Sequence, residues 1–312
     1  MSCRAVLGML LASLVPSGLI PESWLYQAGR KSPGEGSGGI ATLNVIVDWG
    51  GGPSGERAES AELPISRDRL ELYDAGILQP IEYFRPDYSP ARIVILVDNS
   101  ETLRATVDQL RQAVLTFINQ LYEGDQAMLV AFSQHPEVLE EFTPDKIKLK
   151  AASEKFTRAQ APRLLDAIQA TLSDALRLQV GITKRVIILL SDGYDWDSGT
   201  TYQEVIRTLQ RENVVFYAVK LEDRTRGASR RKTLKPEEML SRLTSGTGGR
   251  ILEIKQLPAL VRGVMKEISE DWYQLSYRPQ GINPLIARRL LLLANDRRVR
   301  LRTKSEQPPE RM

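Results

Sequence analysis

Two carboxylates and two hydroxyls carry the strongest chemical signal in this sequence. ILVDNSET places Asp98, Ser100 and Thr102 at alternate positions after an apolar run, and ILLSDG places Asp192 at the end of another. A loop leaving a strand can turn alternate side chains toward one point. Oxygens of this kind, completed by water, suit a hard cation such as Mg²⁺ or Mn²⁺. Without a cation, two carboxylates held together repel. Groups that most other catalysts need are scarce: the chain has one histidine, His135, and one cysteine, Cys3. No disulfide can form within one copy, no Cys/His zinc cluster can be assembled, and any Ser-His-Asp arrangement would have to use His135. There is no GxSxG nucleophile motif, and the glycine-rich stretches GGGPSG and SGTGG have neither dinucleotide-binding nor P-loop layout. DGYDWDSGTT gathers Asp192, Asp195 and Asp197, either as a calcium loop without EF-hand spacing or as an acidic loop.

The elements that must position these groups follow from periodicity. RIVILVD from Arg92 and RVIILLSD from Arg185 are continuous apolar runs ending in acid, as expected of strands buried on both faces. Between and after them, Leu103, Val107, Leu110, Val114, Phe117, Ile118 and Leu121 recur at helical spacing. Leu164, Ile168, Leu172 and Leu176 do the same. AMLVAFS, NVVFYAVKL and GRILEI read as strands, and YQEVIRTLQRE, PEEMLSRLTSGTG and LPALVRGVMKEISEDW as helices. This alternation predicts an α/β, doubly wound, mostly parallel sheet with helices on both faces. Small β additions flank it: ATLNVIVDW and a hairpin of RLELYD with PIEYF, turning at Gly76, on the N-terminal side. YQLSYRP and the RRLLLLAN…RRVRLRTK segment are terminal strands that can pair with them as a satellite sheet. In an open parallel sheet, ligands lie beyond the carboxyl ends of the strands where strand order reverses, which is where Asp98 and Asp192 are expected.

ILVDNSETL, VIILLSDG and LTSGTGGRILEI, in this order, resemble the von Willebrand factor type A domain over roughly residues 90–275. The flanking ISRDRLELYDAGILQPIEYF and WYQLSYRP are similar to a secreted bacterial VWFA-related subfamily, the acidobacterial type. The resemblance implies a Rossmann-like fold and a metal-ion-dependent adhesion site built from Asp98, Ser100, Thr102 and Asp192. There a bound Mg²⁺ or Mn²⁺ keeps a position open for a carboxylate of the partner. One departure stands out. Where the family supplies a threonine before the second helix, QAPRLLDAI has Pro162, which offers neither a side-chain oxygen nor an N–H. Thr157 would need a shifted loop to take its place. Arg163, beside the proline, offers itself as an internal counter-ion in a metal-free site. Metal-bound and metal-free readings both stay open.

The sequence divides as 1–27 signal segment, 28–40 Gly/Ser linker, 41–90 β unit, 91–275 type A-like domain and 276–312 terminal strands and tail. The n-region Arg4 and the apolar run Ala5–Val15 have the order of a secretory signal, against the alternative of a buried N-terminal helix, and the run is too short to span a bilayer. The expected location is therefore exported, secreted or periplasmic, with an uncleaved N-terminal anchor as a variant. A net charge of +3 does not point to nucleic acid. The run RTRGASRRKTLK carries Arg224, Arg226, Arg230, Arg231, Lys232 and Lys235 at the same sheet edge, suiting an acidic protein partner, and Trp196 is a candidate contact anchor. The alternative for that run is a solvated loop. The resulting expectation is a non-enzymatic adhesion or assembly module. A metal-independent envelope scaffold and a metal-assisted hydrolase using Asp98 and Asp192 are the competing readings.

Overall fold

The computed structural model describes residues 39–49, 65–224, 234–296 and 299–309. The chain enters through β1 (Ala41–Asp48), β2 (Leu70–Asp74), β3 (Ile77–Gln79) and β4 (Ile81–Pro86), then begins the α/β layer with β5 (Arg92–Asp98) and α1 (Val107–Asn119). It continues through β6 (Gln126–Phe132), β7 (Pro136–Thr143), α2 (Lys146–Ser153) and α3 (Leu164–Ala170), whose last turns, Thr171–Leu176, widen into a π-helix. There follow β8 (Arg185–Ser191), α4 (Tyr202–Arg211), β9 (Val214–Lys220), α5 (Pro236–Ser245), β10 (Ile251–Glu253) and α6 (Leu257–Ser269). The chain closes with β11 (Trp272–Tyr277), β12 (Arg288–Ala294), β13 (Arg300–Arg302) and β14 (Glu306–Gln307).

The central sheet has the order β10-β9-β8-β5-β6-β7, parallel except for the antiparallel edge strand β7. After β5 the chain moves outward to β6 and β7. It then returns across β5 to build β8, β9 and β10 on the other side, so strand order reverses between β5 and β8. The architecture is the expected doubly wound, mostly parallel sheet.

Its core explains why the strands read as uninterrupted apolar runs. Along β5, Ile93, Ile95 and Val97 pack with Leu110, Val114 and Phe117 of α1 and Val261, Val264 and Ile268 of α6. Val94 and Leu96 face the other way, against Leu164 and Ile168 of α3, Leu209 of α4 and Leu243 of α5. Burying one such aliphatic side chain contributes about 1.5–3 kcal/mol, so both layers hold the sheet strongly. Thr106 and Thr201 fix where α1 and α4 start, each in a reciprocal capping box with the residue three positions on.

The terminal strands form two four-stranded antiparallel sheets, β13-β1-β11-β4 and β14-β12-β2-β3, which share a third core of Leu43, Val45, Leu72, Tyr273, Leu275 and Leu292. N- and C-terminal segments thus pair with each other, as the pattern suggested. The expected hairpin of RLELYD with PIEYF does not form. β2 turns at Ala75 and Gly76 into β3, while β4 joins the other sheet beside β11. Period-2 alternation fixes which face of a strand is buried but not its neighbour. An Arg288–Asp74 ion pair at 3.1 Å is buried between these strands, with the Tyr277 hydroxyl donating to Asp74 at 2.7 Å.

Candidate functional site at the carboxyl edge of the sheet

Register brings the site together. Val97 lies opposite Leu190 and Ser191 opposite Lys220, so Asp98, Asp192 and the segment after β9 leave the sheet side by side at the reversal point. The Leu221 amide donates to the Ser191 carbonyl at 3.2 Å, prolonging this alignment.

Asp98 is fully buried. One of its oxygens, Oδ1, accepts from the Ser100 amide at 3.0 Å and the Ser100 hydroxyl at 2.5 Å, and Oδ2 accepts from the Ser191 hydroxyl at 2.9 Å. The loop carrying Ser100 and Thr102 is fastened from outside. The Glu101 amide donates to the Ala159 carbonyl at 3.0 Å, the Ala159 amide donates back to the Asn99 carbonyl at 3.1 Å, and Arg158 donates to the carbonyls of Ser100, at 2.7 Å, and Ala105. Asp192, 2% exposed, accepts from the Tyr194 amide at 3.1 Å.

The centre of the cluster is filled by the Arg224 guanidinium. Its Nε and backbone amide donate to Asp192 Oδ2 at 2.8 and 3.0 Å, and Nη2 donates to Asp192 Oδ1 at 2.9 Å and to Asp98 Oδ2. Nη1 donates to the hydroxyls of Ser100 at 2.7 Å and Thr102 at 2.8 Å. A guanidinium has five N–H donors; all of them are engaged here. The Tyr194 ring lies 5.5 Å from its central carbon. Burial alone would lower the Arg224 pKa. The hydrogen bond to Asp192 and the charges of Asp98 and Asp192 outweigh it, and the net shift is upward.

Asp98, Ser100, Thr102 and Asp192 therefore converge. Arg224 does not stand on an exposed basic rim, as the sequence suggested: its side chain is 5% exposed and turned inward by two buried carboxylates. The internal counter-ion expected at Arg163 is Arg224 instead. Arg163 is the N-cap residue of α3; beside it, Asp166 is held below its ordinary pKa, against burial, by hydrogen bonds from Thr200 and Gly199 and least by the Arg163 charge. Thr157 is exposed, and its carbonyl accepts from the Asn99 side chain at 2.8 Å. Arg226, Arg230, Arg231 and Lys232 lie outside the described residues. Trp196 is 38% exposed beside Tyr194, with ring centroids 6.3 Å apart. Ser191, Arg158 and Arg224 are the site residues that sequence reasoning did not assign to the cluster. Ser191 had a visible signal, as a hydroxyl next to Asp192 in ILLSDG, and Arg224 had one in its place at the same sheet edge, though it was read as a rim charge.

The neighbouring acids serve the backbone. Asp195 accepts from the Leu165 amide at 3.1 Å and the Ser198 hydroxyl at 2.6 Å, and Asp166 accepts from the amides of Gly199 and Thr200. Asp195 and Ser198, which take the Leu165 and Asp166 amides, close the N-terminus of α3, whose N-cap residue gives no side-chain bond. No group of three or more Asp, Glu, His or Cys suited to a metal occurs among the described residues.

A family model for the von Willebrand factor type A domain matches residues 93–259, the span that holds all four motif residues. The chain belongs to this family. Domains of the family are generally protein-interaction modules built around a metal-ion-dependent adhesion motif. No curated protein matches the chain. Among solved structures, an aerotolerance-related membrane protein from Bacteroides fragilis is 15% identical, with a TM-score of 0.45 over 57% of this chain and 98% of its own. BatB from Bacteroides thetaiotaomicron is 16% identical, with a TM-score of 0.44 over 57% of this chain and 98% of its own. Proximal thread matrix protein 1 from the mussel byssus, with a zinc-occupied motif, is 16% identical, with a TM-score of 0.47 over 63% of this chain and 49% of its own.

The family implies a divalent cation at this donor set. Mg²⁺ requires oxygens at about 2.0–2.1 Å in near-octahedral array. Here the four motif side chains are drawn onto guanidinium nitrogens, and a cation at their centre would coincide with Arg224. Pro162 is buried, and its carbonyl accepts from the Trp196 amide at 2.7 Å. With Arg224 seated, the residues do not fit a resident metal.

Proposed function

We propose that the protein is a non-enzymatic interaction module that presents the carboxyl edge of its central sheet, around the β5–β8 reversal, to a protein partner. One observation carries this reading. The family's motif side chains, from the loops after β5 and β8, meet Arg224, from the segment after β9, at that edge in one ordered cluster, with Tyr194 and half-exposed Trp196 beside it. An aromatic residue on a rigid frame is a suitable anchor for a partner. The basic run from Arg226 to Lys235 favours an acidic partner, and the signal-like N-terminus and the flanking resemblance favour an exported bacterial protein. The hydrolase reading lacks support, because both carboxylates are engaged by hydrogen bonds and His135 is exposed in the bend between β6 and β7. No helix among the described residues is long and apolar enough to cross a membrane.

The test is site-specific photo-cross-linking of the full chain in extracts of cells that make it. Benzoylphenylalanine replaces Trp196 in one sample and Glu123, an exposed residue just before β6, in the control. A discrete protein adduct at position 196, absent at 123 and weakened by high salt, is expected. Equal adducts at both positions, or adducts only at 123, would count against the carboxyl edge as the docking face.

A further inference from the structure

The misfit between this cluster and a divalent cation is built from several directions. Asp98 and Asp192 face two guanidinia, Arg224 bonded to both and Arg158 close to Asp98, so the buried charge balances without an ion. The segment that delivers Arg224 is fastened on its own account, by the Leu221 amide on the Ser191 carbonyl and by an Arg104–Glu222 ion pair of 2.5 Å. All five N–H donors of the guanidinium are engaged by the motif side chains, which leaves none for a carboxylate of a partner.

The groups around a family metal hold aromatic side chains here instead. Pro162 stands where the family places a ligand threonine, and its carbonyl accepts from the Trp196 amide at 2.7 Å. Asp192 Oδ1 receives Arg224 Nη2 and the Tyr194 amide together. The guanidinium carbon lies 5.5 Å from the centre of the Tyr194 ring, within the range of an attractive cation–π contact. Between the two aromatics, Asp195 ties the loop to α3 through the Leu165 amide.

We propose that this chain has converted the adhesion site into a metal-free pedestal. Arg224 holds the cation's place permanently. The edge recognises its partner by inserting Trp196, backed by Tyr194, into an apolar pocket, and not by a metal-bridged carboxylate. An aromatic anchor binds best when its backbone is fixed beforehand, because less ordering is left to do on contact. The pedestal provides this through Asp192 at Tyr194 and Pro162 at Trp196, and Arg224 acts as a positioning residue beneath them. The partner half of the inference rests on the docking reading above, and the metal-free half rests on the protein alone.

The experiment has two arms. The first is thermal unfolding of the purified full chain, as wild type, Arg224→Met and Asp192→Ala, in chelator and in excess Mn²⁺. Wild type should melt at one temperature in both media. In chelator, Arg224→Met should melt about 6–20 °C lower, the shift that follows from breaking a buried ion pair in a domain of this size. A wild-type midpoint that Mn²⁺ raises, with no such rise in Asp192→Ala, overturns the metal-free pedestal. So does an Arg224→Met midpoint at or above that of wild type. The second arm repeats the cross-linking with benzoylphenylalanine at position 196, in chelator and in Mg²⁺, with and without Arg224→Met. The adduct should form equally in both media, map to an apolar segment of the partner, and be lost in Arg224→Met that circular dichroism shows to be folded. Loss of the adduct in chelator, or its full retention in folded Arg224→Met, overturns this mode of recognition. The first arm involves no partner, so it holds or fails whether or not position 196 captures one.

Discussion

Asp192→Ala gives opposite outcomes for an arginine-filled site and for a vacant metal site. Asp192 accepts four hydrogen bonds, three from Arg224 and one from the Tyr194 amide. Truncating it leaves the Nε and the amide of a buried arginine without acceptors, and half of the charge pairing gone. Removing one partner of a buried ion pair costs about 3–5 kcal/mol. At roughly 2–4 °C per kcal/mol for a domain of this size, the melting temperature should fall by about 6–20 °C. If instead Arg224 lay outside and the site were vacant, Asp98 and Asp192 would repel by about 3 kcal/mol at ~5 Å and an effective dielectric near 20. The same truncation would then stabilise the protein. The assay is urea and thermal unfolding of the full chain in chelator, followed by circular dichroism. In an Arg224→Met background the effect of Asp192→Ala should change sign. An Asp192→Ala variant as stable as wild type, or more so, would refute the arrangement.

Two further changes probe the frame. Gly193, directly after Asp192, has φ +86°, and an added Cβ would lie 2.4 Å from the Pro236 carbonyl oxygen and 2.7 Å from Leu240 Cγ. Gly193→Ala should therefore cost roughly 2–4 kcal/mol in urea unfolding, and an unchanged midpoint would show that the Asp192 loop is not held by this contact. Lys304 is buried, donating to the Gln210 carbonyl at 3.0 Å, and burial lowers its pKa to about 7 from 10.5. The unfolded chain then binds more protons than the native one between these values. Stability should rise as pH increases from about 7 toward 10.5 and stay flat below, as far as this group contributes. Lys304→Met should stabilise most at or below neutral pH, by up to about 5 kcal/mol at ~1.36 kcal/mol per pK unit. A gain that grows with pH would contradict this.

The central sheet was legible because its strands are buried on both faces and its helices carry one apolar stripe each. Two elements of the central α/β layer were not assigned in the sequence, β7 and α2, and the reason is their exposure. In β7 only Leu139 is buried among Pro136–Thr143, and α2 buries Leu149, Ala152 and Ser153 on one side of a lysine-rich helix. An edge strand with both faces largely solvated leaves little apolar periodicity to read. The hairpin error has a different origin. RLELYD and PIEYF each satisfy strand chemistry, but their partners, β12 and β11, lie some two hundred residues away.

The site divides in the same way. Its acids and hydroxyls were legible because they are local, packed into five residues after β5 and one after β8. Its cation was not, because Arg224 stands 126 residues from Asp98 and 32 from Asp192, in a run of basic residues that reads as surface charge. Only the β8–β9 register carries it to the reversal point. Pro162 and Arg224 then make sense together. A divalent ion needs a full shell of oxygens, so replacing a ligand by proline weakens it. A guanidinium needs acceptors along the edges of a plane, and two carboxylates with two hydroxyls supply all of them without help from position 162. The proline therefore weakens only the metal-bound state. The same substitution that looked like an incomplete metal site is neutral for a complete arginine site.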